Sequence, residues 1–177
     1  MKKTKISVLV FLGLGFLFSC KEDPTPYQSY NGWYYTGGDA TVKDNEDATI
    51  DFDIDNNLNV DGDVRITSDL SIKNDLNLNT KGKGIIDTEF ENDTVRITGN
   101  MNLNDSLLIQ RGIVILYGNL NINSNGVLNV SDGAQLQVRY DINHNGRFYG
   151  TRNLTVNGTF YKNGGSFSQS EPLTIKQ

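Results

Sequence analysis

The sequence predicts an all-β protein built as a single-stranded parallel β-solenoid, and three observations carry that expectation. From residue 58 onward apolar residues come as apolar-x-apolar doublets whose starts fall six residues apart: Leu58-Val60, Val64-Ile66, Leu70-Ile72, Leu76-Leu78. Between the doublets lie turn formers, as in Asp61-Gly62-Asp63, Lys73-Asn74-Asp75 and Gly99-Asn100. The composition leans on Asn, Gly, Asp, Ser and Thr, and no apolar stripe of helical period follows residue 40.

The physical reading is direct. Alternate residues of a strand point the same way, so each doublet turns two side chains inward. Strands of three or four residues are too short to hold as a meander, but copies stacked on one another bury a continuous core. Three six-residue sides make a coil of about 18 residues, with coils about 4.8 Å apart along the axis. Residues 40–177 then amount to about seven coils. The alternative is a β-sandwich, whose short strands also alternate between turn signals.

The elements follow in order. Lys2, Lys3 and Lys5 precede an apolar run from Ile6 to Phe18, too short to span a bilayer and of the length of an export-signal core. Cys20, the one cysteine, ends it. Residues 20–39 then hold a charged, Pro-containing tether (Lys21-Glu22-Asp23, Pro24, Pro26) and an aromatic cluster of Tyr27, Tyr30, Trp33, Tyr34 and Tyr35. That cluster is expected to cap the apolar end of the first coil, or to stack on sugar rings. Phe148, Tyr149, Phe160, Tyr161 and Phe167 are placed to act similarly at the other end. The solenoid is assigned to residues 40–177. After Leu76-Leu78 the beat breaks over residues 79–94, read as a distorted side or an excursion from the coil. It resumes at Val95-Ile97, Met101-Leu103, Leu107-Ile109 and Ile113-Ile115, and loosens through Leu120-Ile122, Leu128-Val130 and Leu136-Val138. Residues 139–150 are read as a longer polar loop before Leu154-Val156. Val60, Leu103, Val130 and Val156 are expected to be inward and buried, with Asn59 and Asn129 outward.

Three resemblances add to this. Leu17-Phe18-Ser19-Cys20 resembles the lipobox of bacterial lipoproteins, which implies removal of residues 1–19 and acylation of Cys20, hence a lipid-bilayer anchor. Lys21-Glu22-Asp23 resembles the export tag that sends Bacteroidetes lipoproteins to the outer face of the outer membrane, so cell-surface display is expected over a periplasmic address. Residues 58–66 (L-N-V-D-G-D-V-R-I) and 154–160 (L-T-V-N-G-T-F) resemble the sides of bactofilins and related right-handed β-helix repeat proteins. That implies a right-handed, three-sided helix; the cytoskeletal role of bactofilins is not carried over to a chain with an export signal.

Charge and site chemistry narrow the function. With three of the 16 basic residues in the leader, the mature part holds 13 against 21 acidic residues, a net charge of −8 that argues against nucleic acid as a partner. Asp51, Asp53 and Asp55 alternate with Phe52 and Ile54, which puts three carboxylates on one strand face; calcium is one use of them, a solvated edge the other. Asp141–Gly146 and Asn121–Gly126 match the first half of an EF-hand loop but are read as solenoid turns, since Arg152 stands where a bidentate Glu belongs. His144 is the one histidine, so no Ser–His–Asp or Cys–His set and no zinc site is expected elsewhere. No cofactor is expected either. The expectation is a surface lipoprotein with a non-catalytic binding or structural role, in adhesion or glycan binding. Its partners are polysaccharide, another cell-surface protein, or further copies stacked end to end. The rival from another class is a polysaccharide-active enzyme of the β-helix type.

Overall fold

The computed structural model describes residues 27–30, 33–36, 38–150, 153–168 and 174–175. These residues form a β-solenoid of parallel strands with about six turns of about 20 residues each, followed by a last coil described in part. Two short strands come first, β1 (Tyr27–Tyr30) and β2 (Trp33–Thr36). The first coil holds β3 (Asp39–Val42), β4 (Asp47–Ile50) and a single bridge at Ile54; the second holds β5 (Leu58–Val60), β6 (Asp63–Ile66) and β7 (Leu70–Ile72). The third has β8 (Leu76–Leu78), β9 (Lys83–Asp87) and β10 (Thr94–Ile97). In the fourth, β11 (Met101–Leu103) is followed by one long strand, β12 (Ser106–Leu116), that serves two sides. The fifth has β13 (Leu120–Ile122), β14 (Val127–Val130) and β15 (Ala134–Val138); the sixth has β16 (Ile142–His144), β17 (Arg147–Tyr149) and β18 (Leu154–Val156). The last comprises β19 (Phe160–Lys162), β20 (Ser166–Ser168) and β21 (Thr174–Ile175).

Three ladders run along the axis. Face A is β3-β5-β8-β11-β13-β16-β19, face B is β4-β6-β9-β12-β14-β17-β20, and face C is β7-β10-β12-β15-β18-β21. Every pairing between coils is parallel, which excludes the β-sandwich, whose sheets are antiparallel. At the N-terminal end β2 pairs antiparallel with β3, and β1 with β2, so the backbone of the aromatic segment occupies the free edge of face A. The terminal strand of that sheet is thereby β1 rather than β3.

The core is the sum of the inward doublets. Face A sends in Leu58, Leu76, Met101, Leu120 and Ile142 as one column, and Val60, Leu78, Leu103 and Ile122 as the next; all are fully buried. Ile50, Ile66, Ile86, Ile109 and Val130 do the same on face B. Val60, Leu103, Val130 and Val156 are all inward and buried, as the alternation requires.

Coil length is where the structure departs from the expected 18. Following Leu58 along face A, the partners Leu76, Met101, Leu120, Ile142 and Phe160 are spaced 18, 25, 19, 22 and 18 residues apart. The long step holds residues 79–94, which contain a regular strand, β9, followed by an excursion. At the face B–C corner, Gly112 adopts φ +95°, and a side chain there would collide with the Thr88 hydroxyl. Residues 139–150 are not a polar loop. They contain β16 and β17 in register with β13 and β14.

Candidate functional site

Face A is covered outside by stacked amides. Asn59, Asn77, Asn102, Asn121 and Asn143 occupy the same outward position on successive coils. The Nδ2 of each donates to the Oδ1 of the one before: Asn77 to Asn59 at 2.9 Å, Asn102 to Asn77 at 2.8 Å, Asn121 to Asn102 at 2.7 Å and Asn143 to Asn121 at 2.8 Å. A second column lies at the strand entrances, where side-chain oxygens of Asp39, Asn57, Asp75, Asn100, Asn119 and Asp141 each accept the backbone N–H of the equivalent residue one coil on. At the strand exits Asn79 donates to Asp61 and Asn123 to Asn104. The parallel register brings identical residues into line, and a planar amide is both donor and acceptor, so the ladder propagates itself. Each rung contributes roughly 0.5–1.5 kcal/mol. The ladder consumes one N–H and one lone pair per amide, and leaves the other N–H and lone pair for a ligand.

Tyrosines border this face. Tyr117, Tyr140 and Tyr161 are 41%, 62% and 47% exposed, while Phe148 is sealed in the core. Tyr117 and Tyr140 stand at the corner between faces C and A, just past the ends of β12 and β15. In the equivalent position of the adjacent coils Tyr140 is flanked by Gly118 and Gly158, so that row presents no side chain beside its ring. Tyr161 continues the Asn143 column outward on β19. Flat aromatic surface beside paired amide donors and acceptors is suited to sugar rings, with their apolar faces and rims of hydroxyl groups.

Face B carries a different surface. A shallow groove there is floored by Ile85, Leu108 and Val127 and edged by Asp63, Lys83 and Ser106. At its border Asp87 is buried, bonded on one oxygen by Arg65 and on the other by Arg111, whose Nη2 and Nε lie at 2.8 and 3.1 Å. Burial pushes the Asp87 carboxyl up, but the hydrogen bonds and charges of Arg111 and Arg65 outweigh it and hold it below its ordinary 3.8. Arg111 Nη1 also donates to the Glu89 carbonyl, tying down the excursion at residues 88–93 that lifts Phe90 into solvent.

The residues singled out in the sequence fare unevenly. Cys20, Lys21, Glu22 and Asp23 lie outside the described residues. Tyr30, Trp33, Tyr34 and Tyr35 are described as the backbone of β1 and β2 alone. Asp51, Asp53 and Asp55 do not sit on a strand; only Ile54 makes a bridge. Their carboxylates work between coils: Asp53 accepts the Ser71 N–H at 2.7 Å, and Asp55 pairs with Lys73 at 2.5 Å. Among the described residues no group of three or more His, Cys, Asp or Glu is placed to hold a metal ion. Within Asp141–Gly146, Ile142–His144 is a strand with His144 pointing into the core, and Asn145-Gly146 makes the bend after it. The amide ladder and Tyr117 and Tyr140 were not singled out, although the recurrence of Asn one coil apart was there to be read. No family model, curated protein or solved structure matches the chain significantly.

Proposed function

We propose that this chain is a lipoprotein anchored in the outer membrane through Cys20 and displayed at the cell surface, whose solenoid binds polysaccharide without acting on it. The observation that carries the binding role is the exposure of Tyr117, Tyr140 and Tyr161 along the border of a flat face of amides. Large exposed apolar rings are otherwise rare here: among the described residues only Phe90 joins them. A rigid ladder also holds these groups in place before a ligand arrives, which lowers the ordering cost of binding. End-to-end stacking of copies is the weaker reading, because β2 already occupies the first edge of face A.

The test is a glycan array and a pull-down on insoluble polysaccharides with a soluble form beginning at Lys21. Binding is expected, and a combined Tyr117→Ala and Tyr140→Ala change should weaken it at least tenfold, about 1.4 kcal/mol, while the melting temperature stays put. Loss of neither binding nor stability would remove these tyrosines from the site, and no binding to any glycan would end the reading. The anchor is tested separately: Cys20→Ala should abolish fatty-acid labelling and leave the leader uncleaved. Unchanged labelling would end the lipoprotein proposal.

A further inference from the structure

The one histidine lies where a charge is least welcome. His144 is fully buried on β16, and neither ring nitrogen has a hydrogen-bond partner. Its ring stacks on Phe160 of the last coil at 5.7 Å between centroids and meets the edge of Phe167 at 6.0 Å; Phe167 in turn meets Phe148 at 5.6 Å. The neighbouring coils place Ile122 before it and Lys162 after it in the same column. The charged groups on the packed elements are Lys162 on β19, Arg147 on β17 and Asp141 just ahead of β16; the Asp141 carboxylate is taken by the Thr159 N–H on the outer surface. Among the described residues no carboxylate faces the ring to balance an imidazolium. Burial holds the imidazole below its ordinary 6.5 and the Lys162 charge acts in the same direction; the Ser166 and Gly164 backbone pulls the other way without reaching hydrogen-bond geometry.

We propose that His144 is an acid-released latch for the last coil: protonating the ring detaches β19–β21 from β16–β18 and uncovers the aromatic end of the core. The last coil is the part able to yield. Its residues 161–166 are exposed, and among the described residues its side of the core is closed by partly buried Phe160 and Phe167. The sign follows from linkage. Above pH 6.5 the ring is neutral whether the coil is attached or detached, and attachment is at its strongest. As pH falls through 6.5 the detached form takes up a proton that the attached form resists, so attachment weakens by about tenfold per pH unit until the attached form's own lower value is reached.

The experiment is amide hydrogen exchange on the full chain purified in detergent, between pH 5 and 8 and corrected for intrinsic exchange. The reporters are the Asn163 and Ser166 amides, which bond back to His144 and Gly146. Their protection is expected to fall about tenfold per pH unit below 6.5, while amides of the second to fourth coils hold theirs. In His144→Leu, and in His144→Phe as a second replacement, the pH dependence should disappear. Protection that does not vary with pH, or that falls equally in every coil, would overturn the latch. So would an NMR titration of the unmutated chain that places the His144 imidazole at or above 6.5.

Discussion

Leu103→Asp is expected to unfold the solenoid at neutral pH. Leu103 is fully buried in a column between Leu78 and Ile122, so the carboxylate would have apolar neighbours on both adjacent coils and no Lys or Arg among the described buried residues. An unpaired charge in such a place costs about 4–5 kcal/mol or more, a large part of the roughly 5–15 kcal/mol that holds a domain folded. Val60, Val130 and Val156 occupy equivalent inward positions and should respond alike. Outward neighbours divide into two kinds. Asn129→Asp changes an exposed residue, and Asn59→Asp keeps the oxygen that accepts from Asn77; both should stay within about 0.5 kcal/mol of the parent. Asn102→Asp stands in mid-ladder, where the new carboxylate loses the donor to Asn77 and sets oxygen against oxygen, at a cost of about 1–2 kcal/mol. Urea melts of the seven variants give the ranking. Equal sensitivity of Leu103 and Asn129 would contradict the alternation on which the fold rests.

What was legible in advance is what repeats. The doublets from Leu58 to Leu78 place both inward columns of face A because burial in a strand has a strict period of two. The same rule failed at residues 139–150. There the outward positions carry Asp141, Asn143 and Asn145, and one of the inward positions carries His144, so the segment looks polar throughout although it is a strand. Of the face A amides, the sequence shows Asn59 as an outward residue beside a doublet and Asn121 and Asn143 as parts of turns, with nothing to join them. Their second role emerges only when the coil length is known, because Asn59 meets Asn77 across 18 residues but Asn77 meets Asn102 across 25. The longer step comes from the insertion at 79–94, and it also hides the approach of Arg65, Asp87 and Arg111 to one another. Exposure of Tyr117 and Tyr140 depends on corner geometry and neighbouring glycines, which a doublet pattern does not encode.

Asp87→Ala should be the most damaging change outside the apolar columns. The carboxylate is buried and its two oxygens are divided between Arg65 and Arg111, so its removal leaves two guanidiniums facing one another across an empty position. A fully buried pair broken in this way loses about 3–5 kcal/mol; here the two arginine side chains are 51% and 43% exposed, and water screening lowers the expectation to about 2–3 kcal/mol. The damage should also be local. Arg111 holds the Glu89 carbonyl, so the excursion at residues 88–93 should be cut by protease faster in the variant while the coils beyond it keep their resistance. Acid supplies an independent readout. The Asp87 carboxyl is held below 3.8 in the fold, so its contribution is fully present above pH 3.8 and is lost as pH falls through the lower folded value. The parent should therefore lose stability more steeply than Asp87→Ala below pH 4, by about one proton's worth of slope, and the two should converge at the acid end. Urea melts at pH 7 and along the acid limb measure both effects, and a variant with the parent's stability at neutral pH and the same acid slope would show that the pair of arginines holds nothing in place.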